Sequence, residues 1–183
     1  MWNKFKIGIK EIVVVLIGSA LFFSFTVFSV PYDIIPSTSI EIRAAVLSFV
    51  AAVYGPVAGL LTGILGHCLG DVLFYENISI SWTIAEGIFG FILGWFFDTF
   101  HISDGRFGIK ELINFNLTQI MANAIAWIVV APALDLIFVG ESIQKAVTQG
   151  FFAFFSDTLI IAFVDSIVFL ILSKLINVFN TGE

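Results

Sequence analysis

AAVLSFVAAVYGPVAGLLTGILGHCLGDVLFY, residues 44–75, is the stretch whose reading decides the fold. It is almost wholly apolar and far longer than the roughly 20 residues that one membrane-spanning helix needs. It is also broken at Gly55-Pro56. Proline lacks a backbone N–H and biases the residue before it away from helix. The stretch therefore reads as two spans meeting at that dipeptide, 40–54 and 57–74.

Working outward, apolar runs at 12–30, 82–97, 112–134 and 151–176 bring the total to six spans in one transmembrane domain, 1–183. The parity can be tested against charge, because loops on the cytoplasmic side carry an excess of Lys and Arg. With six spans and both termini cytoplasmic, Lys4, Lys6, Lys10, Arg106, Lys110 and Lys174 lie inside, and Arg43 and Lys145 outside. Reading 44–75 as one crossing removes the bias and leaves four basic residues on each side. The expected fold class is all-α integral membrane, with six transmembrane helices and both termini cytoplasmic.

Composition supports this. The 183 residues are 59% hydrophobic and 12% charged, with a mean hydropathy of +1.05. Lipid admits only helices or closed barrels, and the runs are too long and too uniformly apolar for the alternation of a barrel. Lys4, Lys6 and Lys10 before an apolar run resemble a secretory signal, but the run is long and lacks a small-x-small cleavage site, so it reads as the first span. The net charge of −6 and the lack of a basic stripe exclude nucleic acid as a partner class. No Gly-rich phosphate loop is present, nor a Cys/His cluster for zinc. Cys68 is the single cysteine and reads as a small core hydrophobe.

Glycine is concentrated in the middle of the chain. Gly59 and Gly63, Gly66 and Gly70, and Gly90 and Gly94 are spaced by four. Small residues at that spacing let membrane helices approach closely, so the third and fourth spans are expected to pack tightly.

Ionisable groups inside a span are costly and by default face a cavity or a partner. His67, Asp71, Glu86, Asp157 and Asp165 are the candidates. His67 with Asp71, Trp82 with Glu86, and Asn123 with Trp127 are each four apart and so share a helical face, with Gln119 one turn further. The six-span topology puts these groups, with Asp157, in the outer halves of four helices, and Asp165 nearer the middle. Convergent polar groups with flat aromatic walls are what a ligand pocket needs. The alternative is private satisfaction, with His67–Asp71 an intrahelical pair and Trp82 and Trp127 interfacial anchors. Thr38, Glu41 and Arg43, in the polar stretch 31–43, are candidates for a loop that closes over the pocket.

The run from Ser37 to Leu47, followed by Tyr54-Gly-Pro-Val-Ala-Gly-Leu-Leu-Thr-Gly-Ile-Leu-Gly-His-Cys-Leu-Gly-Asp71, resembles the substrate-binding S components of energy-coupling factor (ECF) vitamin transporters, nearest the riboflavin-type branch. Motif similarity covers about 36–97; residues 98–183 match in pattern. Where that branch often carries Asn before Thr38, this chain has Ser37. The resemblance implies a vitamin-capturing subunit that holds no cofactor of its own. It would dock on a transmembrane T component driven by two ATPase subunits, which carry ATP and Mg. Many S components dock through small residues spaced by four on the first helix; here Ala20 and Ser24 are nearest, with Gly18 and Ser19 alongside, and the alternative is that this face packs against helices of the same subunit; membrane lipid is the remaining partner. Carboxylates, an imidazole, amides and two indoles suit a small, nearly planar, nitrogen-containing ring. Hydroxymethylpyrimidine fits first, then pyridoxine, then the larger riboflavin. The competing classes are an intramembrane acid–base enzyme using His67, Asp71 and Glu86, and a stand-alone channel or carrier.

Overall fold

The computed structural model describes residues 5, 7–31, 39–75 and 77–181, the backbone alone at 31, 39, 75 and 181. Six helices run up and down: α1 Ile9–Phe25, α2 Arg43–Tyr54, α3 Pro56–Gly70, α4 Ile80–Trp95, α5 Ile109–Val139 and α6 Ile143–Thr181. A two-residue antiparallel pair, β1 Val30–Pro31 with β2 Ser39–Ile40, joins α1 to α2.

The break expected at Gly55-Pro56 is present. Gly55 has φ +92°, a conformation that favours glycine, and Pro56 opens α3 where its missing N–H costs nothing. The second and fourth spans, the two shortest apolar stretches in the sequence, are also the two shortest of the six helices, counting α3 with its last turn to Phe74. Four helices are long and apolar enough to cross a bilayer, α1 with its 3-10 extension to Phe28, α3 with its last turn to Phe74, α5 and α6. α2 has 12 residues and α4 has 16, roughly 18 and 24 Å at 1.5 Å per residue. Eight of the 12 residues of α2 are buried, and α1, α3, α4 and α6 all pack on it. Enclosed by protein, it need not match the bilayer thickness.

Residues 135–149, left between the apolar runs at 112–134 and 151–176 and so expected as a loop, are mostly helix. Helix continues to Val139, and α6 starts at Ile143. Gly140, at φ +68°, closes α5 with the left-handed turn common at helix ends. Within α5, Pro132 cannot donate its hydrogen bond and crowds the preceding turn. The helix widens into π turns on either side, Ala124–Val130 and Asp135–Val139. α6 follows this contour closely: a Cβ on Gly150 would collide with the Trp127 carbonyl and meet the Pro132 ring at 2.9 Å.

The expected tight crossing of α3 and α4 is borne out. Gly59 and Gly90 meet backbone to backbone, a Cβ on Gly63 would lie 2.7 Å from the Glu86 carbonyl oxygen, and Gly94 abuts Gly55 and Pro56. The second pair on α3 turns to other neighbours: Gly66 makes room for Phe22 of α1, and Gly70 for Thr26 and Arg43.

One end of the bundle is closed by rings. The charged segment before α5 sends Phe100, Ile102 and Phe107 inward, all buried. Phe107, Phe115 and Phe169 stack edge to face at centroid distances of 5.1–6.3 Å, and the Phe107 amide donates to Ser173 Oγ at 2.8 Å. Outward, α1 and α6 present Leu16, Leu159 and Phe163, each more than 60% exposed. Side chains of this kind belong against lipid rather than water. The chain is a multi-pass helical membrane protein.

Candidate functional site

The end opposite the aromatic plug gathers the ends or beginnings of every helix, and there the polar groups converge. Arg43 is the first residue of α2 and is 4% exposed, so it is an interior side chain rather than a loop residue. Its guanidinium lies over the Phe22 ring at 4.8 Å, pairs with Glu41, and donates to Thr26 Oγ1 at 3.4 Å. Thr38 lies outside the described residues.

His67 and Asp71 face the same volume from the end of α3. The His67 ring bridges two acids, Nε2 standing 3.5 Å from Asp71 Oδ2 and Nδ1 3.8 Å from Glu86 Oε1. The pair is therefore more than intrahelical. The Gly63–Glu86 backbone contact sets this geometry, because it fixes the height of Glu86 one turn from His67. Asp71 also accepts the Ser79 backbone N–H at 2.7 Å, tying the start of α4 to the end of α3 with a carboxylate at a helix N-terminus.

Trp82 and Trp127 form the aromatic wall. Their ring centroids are 5.1 Å apart with planes at 45°. Trp127 is 2% exposed, which makes it an interior group rather than an interfacial anchor. The Trp82 indole donates to Asp135 Oδ2 at 3.2 Å. The Trp127 indole is turned toward Asp157 of α6 without completing a hydrogen bond. Asp157 in turn lies in electrostatic range of Glu86, Glu41 and Arg43.

Deeper in α5, amides form a ladder. Asn123 Nδ2 donates to Gln119 Oε1 at 2.9 Å, and Gln119 Nε2 reaches Asn116 Oδ1 and the Thr158 carbonyl, both at 3.4 Å. Asn116 continues to Ser166 Oγ at 3.0 Å.

The structure thus brings together His67, Asp71, Trp82, Glu86, Gln119, Asn123, Trp127, Asp157, Glu41 and Arg43. Asp165 stands apart. It is 2% exposed, near Ser48, and borders an apolar cleft of about 390 Å³ between α1, α2 and α6. That cleft offers a polar ligand one carboxylate and little else.

Two participants escape a reading by pattern. Asn116 is three residues before Gln119 and shares its face, so the spacing carried the signal. Asp135 interrupts an apolar run and so reads as loop, yet it is 6% exposed and lies eight residues, two helical turns, beyond Trp127. Asp71, Trp127 and Asp135 all lie in π-helical segments, the three such segments among the described residues. π turns recur at functional sites because they expose backbone and re-aim side chains.

Three buried atoms in this knot have no hydrogen-bond partner: His67 Nδ1, Asn123 Oδ1 and Trp127 Nε1. Each such group costs about 1–3 kcal/mol unless something meets it. Among the described residues no group of three or more His, Cys, Asp and Glu side chains is arranged for a metal ion. Cys68 Sγ lies 3.9 Å from Thr83 Oγ1, between α3 and α4. The proposed docking residues divide: Gly18 is buried against Val50 and Thr62, whereas Ala20 and Ser24 are exposed.

Comparison with known proteins gives three findings. Residues 6–176 match the family model described as ECF-type riboflavin transporter, S component. A UPF0397 protein of Clostridium perfringens is 43% identical over 148 residues, covering 81% of this chain and 80% of the relative. A UPF0397 protein of Staphylococcus aureus is 40% identical over the same length and shares. No solved structure matches.

Proposed function

The chain belongs to the ECF-type riboflavin transporter S-component family, and from that premise we propose that its polar knot captures a small, nearly planar, nitrogen-containing vitamin or vitamin precursor. Members of this family are substrate-binding subunits of vitamin-type transporters. They work with a T component and ATPase components in general. Hydroxymethylpyrimidine is the first choice of substrate, pyridoxine the second and riboflavin the third.

The observation that carries this reading is the set of orphaned buried atoms around a tilted indole pair. His67 Nδ1 on α3 and Asn123 Oδ1 and Trp127 Nε1 on α5 lie at or beside the Trp82–Trp127 wall. A planar ring with edge donors and acceptors stacks on the wall and completes those bonds. Stacking supplies affinity, and the polar atoms reject rings that leave them unpaired. With both termini cytoplasmic, the knot lies in the outer half of the membrane.

ATP and Mg reside on two partner ATPase subunits. This chain holds no cofactor. The exposed Ala20 and Ser24 face of α1 is the docking surface for the T component, while Gly18 serves internal packing.

The test is titration of the purified chain in detergent with hydroxymethylpyrimidine, pyridoxine, thiamine and riboflavin, read by tryptophan fluorescence. Saturable quenching by one compound is expected, and Glu86→Gln or Trp127→Ala should weaken it without unfolding the bundle. Normal binding by both variants places the site elsewhere.

A further inference from the structure

The charges in the knot do not balance. Glu41, Asp71, Glu86, Asp135 and Asp157 share one end of the bundle with Arg43 and His67 as the basic groups. Three of the five carboxylates have fixed donors. Glu41 takes Arg43, Asp71 takes the Ser79 amide, and Asp135 takes the Trp82 indole.

Glu86 and Asp157 differ. They are 3% and 7% exposed and lie in electrostatic range of each other from α4 and α6. His67 Nδ1, at 3.8 Å from Glu86, is outside hydrogen-bond distance. Arg43 lies in electrostatic range of both carboxylates, but its hydrogen bonds go to Glu41 and Thr26. The Trp127 N–H points toward Asp157 and stops short of a bond. Like charges in a low-dielectric site repel, and a buried carboxylate without donors is costly.

A ligand that brings N–H donors or positive charge between them relieves both costs. A ligand that brings carbonyl oxygens or a carboxylate adds to them. The neighbouring orphan Asn123 Oδ1 is a further acceptor awaiting a donor, and the indole faces favour a cation.

Resting on the site proposed above, we infer that Glu86 and Asp157 are a specificity-determining pair selecting ligands with an amidine-like edge, a ring nitrogen beside an exocyclic amine, or a cationic ring. Protonated at the ring nitrogen, such an edge meets a carboxylate through two parallel N–H···O bonds, as a guanidinium does; unprotonated, it donates one exocyclic N–H to a carboxyl oxygen and its ring nitrogen accepts the O–H of a protonated carboxyl group. Carboxylate-bearing rings are rejected. So are rings whose edge is lined by carbonyls, as in a flavin.

The experiment compares two rings of one shape: 4-amino-5-hydroxymethyl-2-methylpyrimidine and its 4-oxo analogue, titrated into the full chain by tryptophan fluorescence. The amino compound should bind roughly a hundredfold tighter or more, since the oxo ring puts a carbonyl acceptor where the amine donates, and a site built to accept that donor strongly rejects analogues lacking it there. Glu86→Gln and Asp157→Asn keep side-chain shape and should each cut the discrimination by about tenfold, a loss of one of the paired contacts. Thermal melts verify folding, and if one variant fails to fold the other decides. Equal binding of the two rings, or preference for the oxo form, overturns the pair's role and leaves the aromatic site standing. Quenching by riboflavin with neither pyrimidine bound does the same. No quenching by any ring overturns both readings.

Discussion

Gly63→Ala should damage stability and ligand capture together. A Cβ there lies 2.7 Å from the Glu86 carbonyl oxygen and 2.8 Å from its carbonyl carbon. That is about 0.7 Å short of ordinary van der Waals contact, and the obstruction is backbone, which cannot rotate away. Overpacking of this kind costs about 1–3 kcal/mol. Replacing a mid-helix glycine by alanine returns about 0.5–1 kcal/mol through helix propensity. The net loss should be about 1–2 kcal/mol. Because the displaced backbone is that of Glu86, the carboxylate moves away from His67 and ligand binding should weaken about tenfold, the equivalent of about 1.4 kcal/mol. Gly70→Ala is the internal comparison, since its Cβ would meet the side-chain atoms Thr26 Oγ1 at 3.2 Å and Arg43 at 3.6 Å, and its effect should be markedly smaller. Thermal unfolding in detergent and fluorescence titration measure the two effects. A Gly63→Ala protein as stable as its parent, or no difference from Gly70→Ala, refutes the claim that the glycine crossing sets the site.

Asp135→Leu removes the acceptor of the Trp82 indole, and leaving that partly buried N–H unmet should cost about 1–3 kcal/mol; a shift in tryptophan emission with lower melting temperature is the readout, and an unchanged spectrum counts against the pairing. Arg43→Met takes the cation off Phe22 and breaks the Glu41 pair. The expected loss is about 2 kcal/mol in a melt, below the full cost of a broken buried pair because Glu41 is about a fifth exposed. Phe107→Ala opens the plug at the far end and should cost about 3 kcal/mol. Its ligand affinity, measured below the melting transition, should stay close to that of the parent, which separates stability from capture.

Much of this was legible in order. The break at Gly55-Pro56, the six helices and the α3–α4 crossing follow from properties that single residues carry: a missing N–H, a missing Cβ, and apolar length. His67, Asp71, Trp82, Glu86, Asn123 and Trp127 stood out because ionisable, amide and indole groups are conspicuous among 59% hydrophobic residues. The reading failed where length or polarity was taken as a local signal. Asp135 looked like loop because an acid ended an apolar run, and Arg43 looked like loop because it followed a polar stretch. In both cases the deciding fact was a distant partner, Trp82 for one and Phe22 and Thr26 for the other.

The amino-acid sequence by itself determined that this chain lives in a membrane as helices and which of its residues were too polar to be there without purpose. Only the tertiary structure decided that Glu86 sits opposite His67, that the Trp82 and Trp127 rings meet at 45°, and that Glu86 and Asp157 come within electrostatic range of each other. Helical periodicity places residues on faces within one helix. The relative rotation and height of two helices are set by the contacts between them, here glycine against backbone at α3–α4 and the widened turns of α5 against Gly150, and those are properties of pairs that no single stretch of sequence contains.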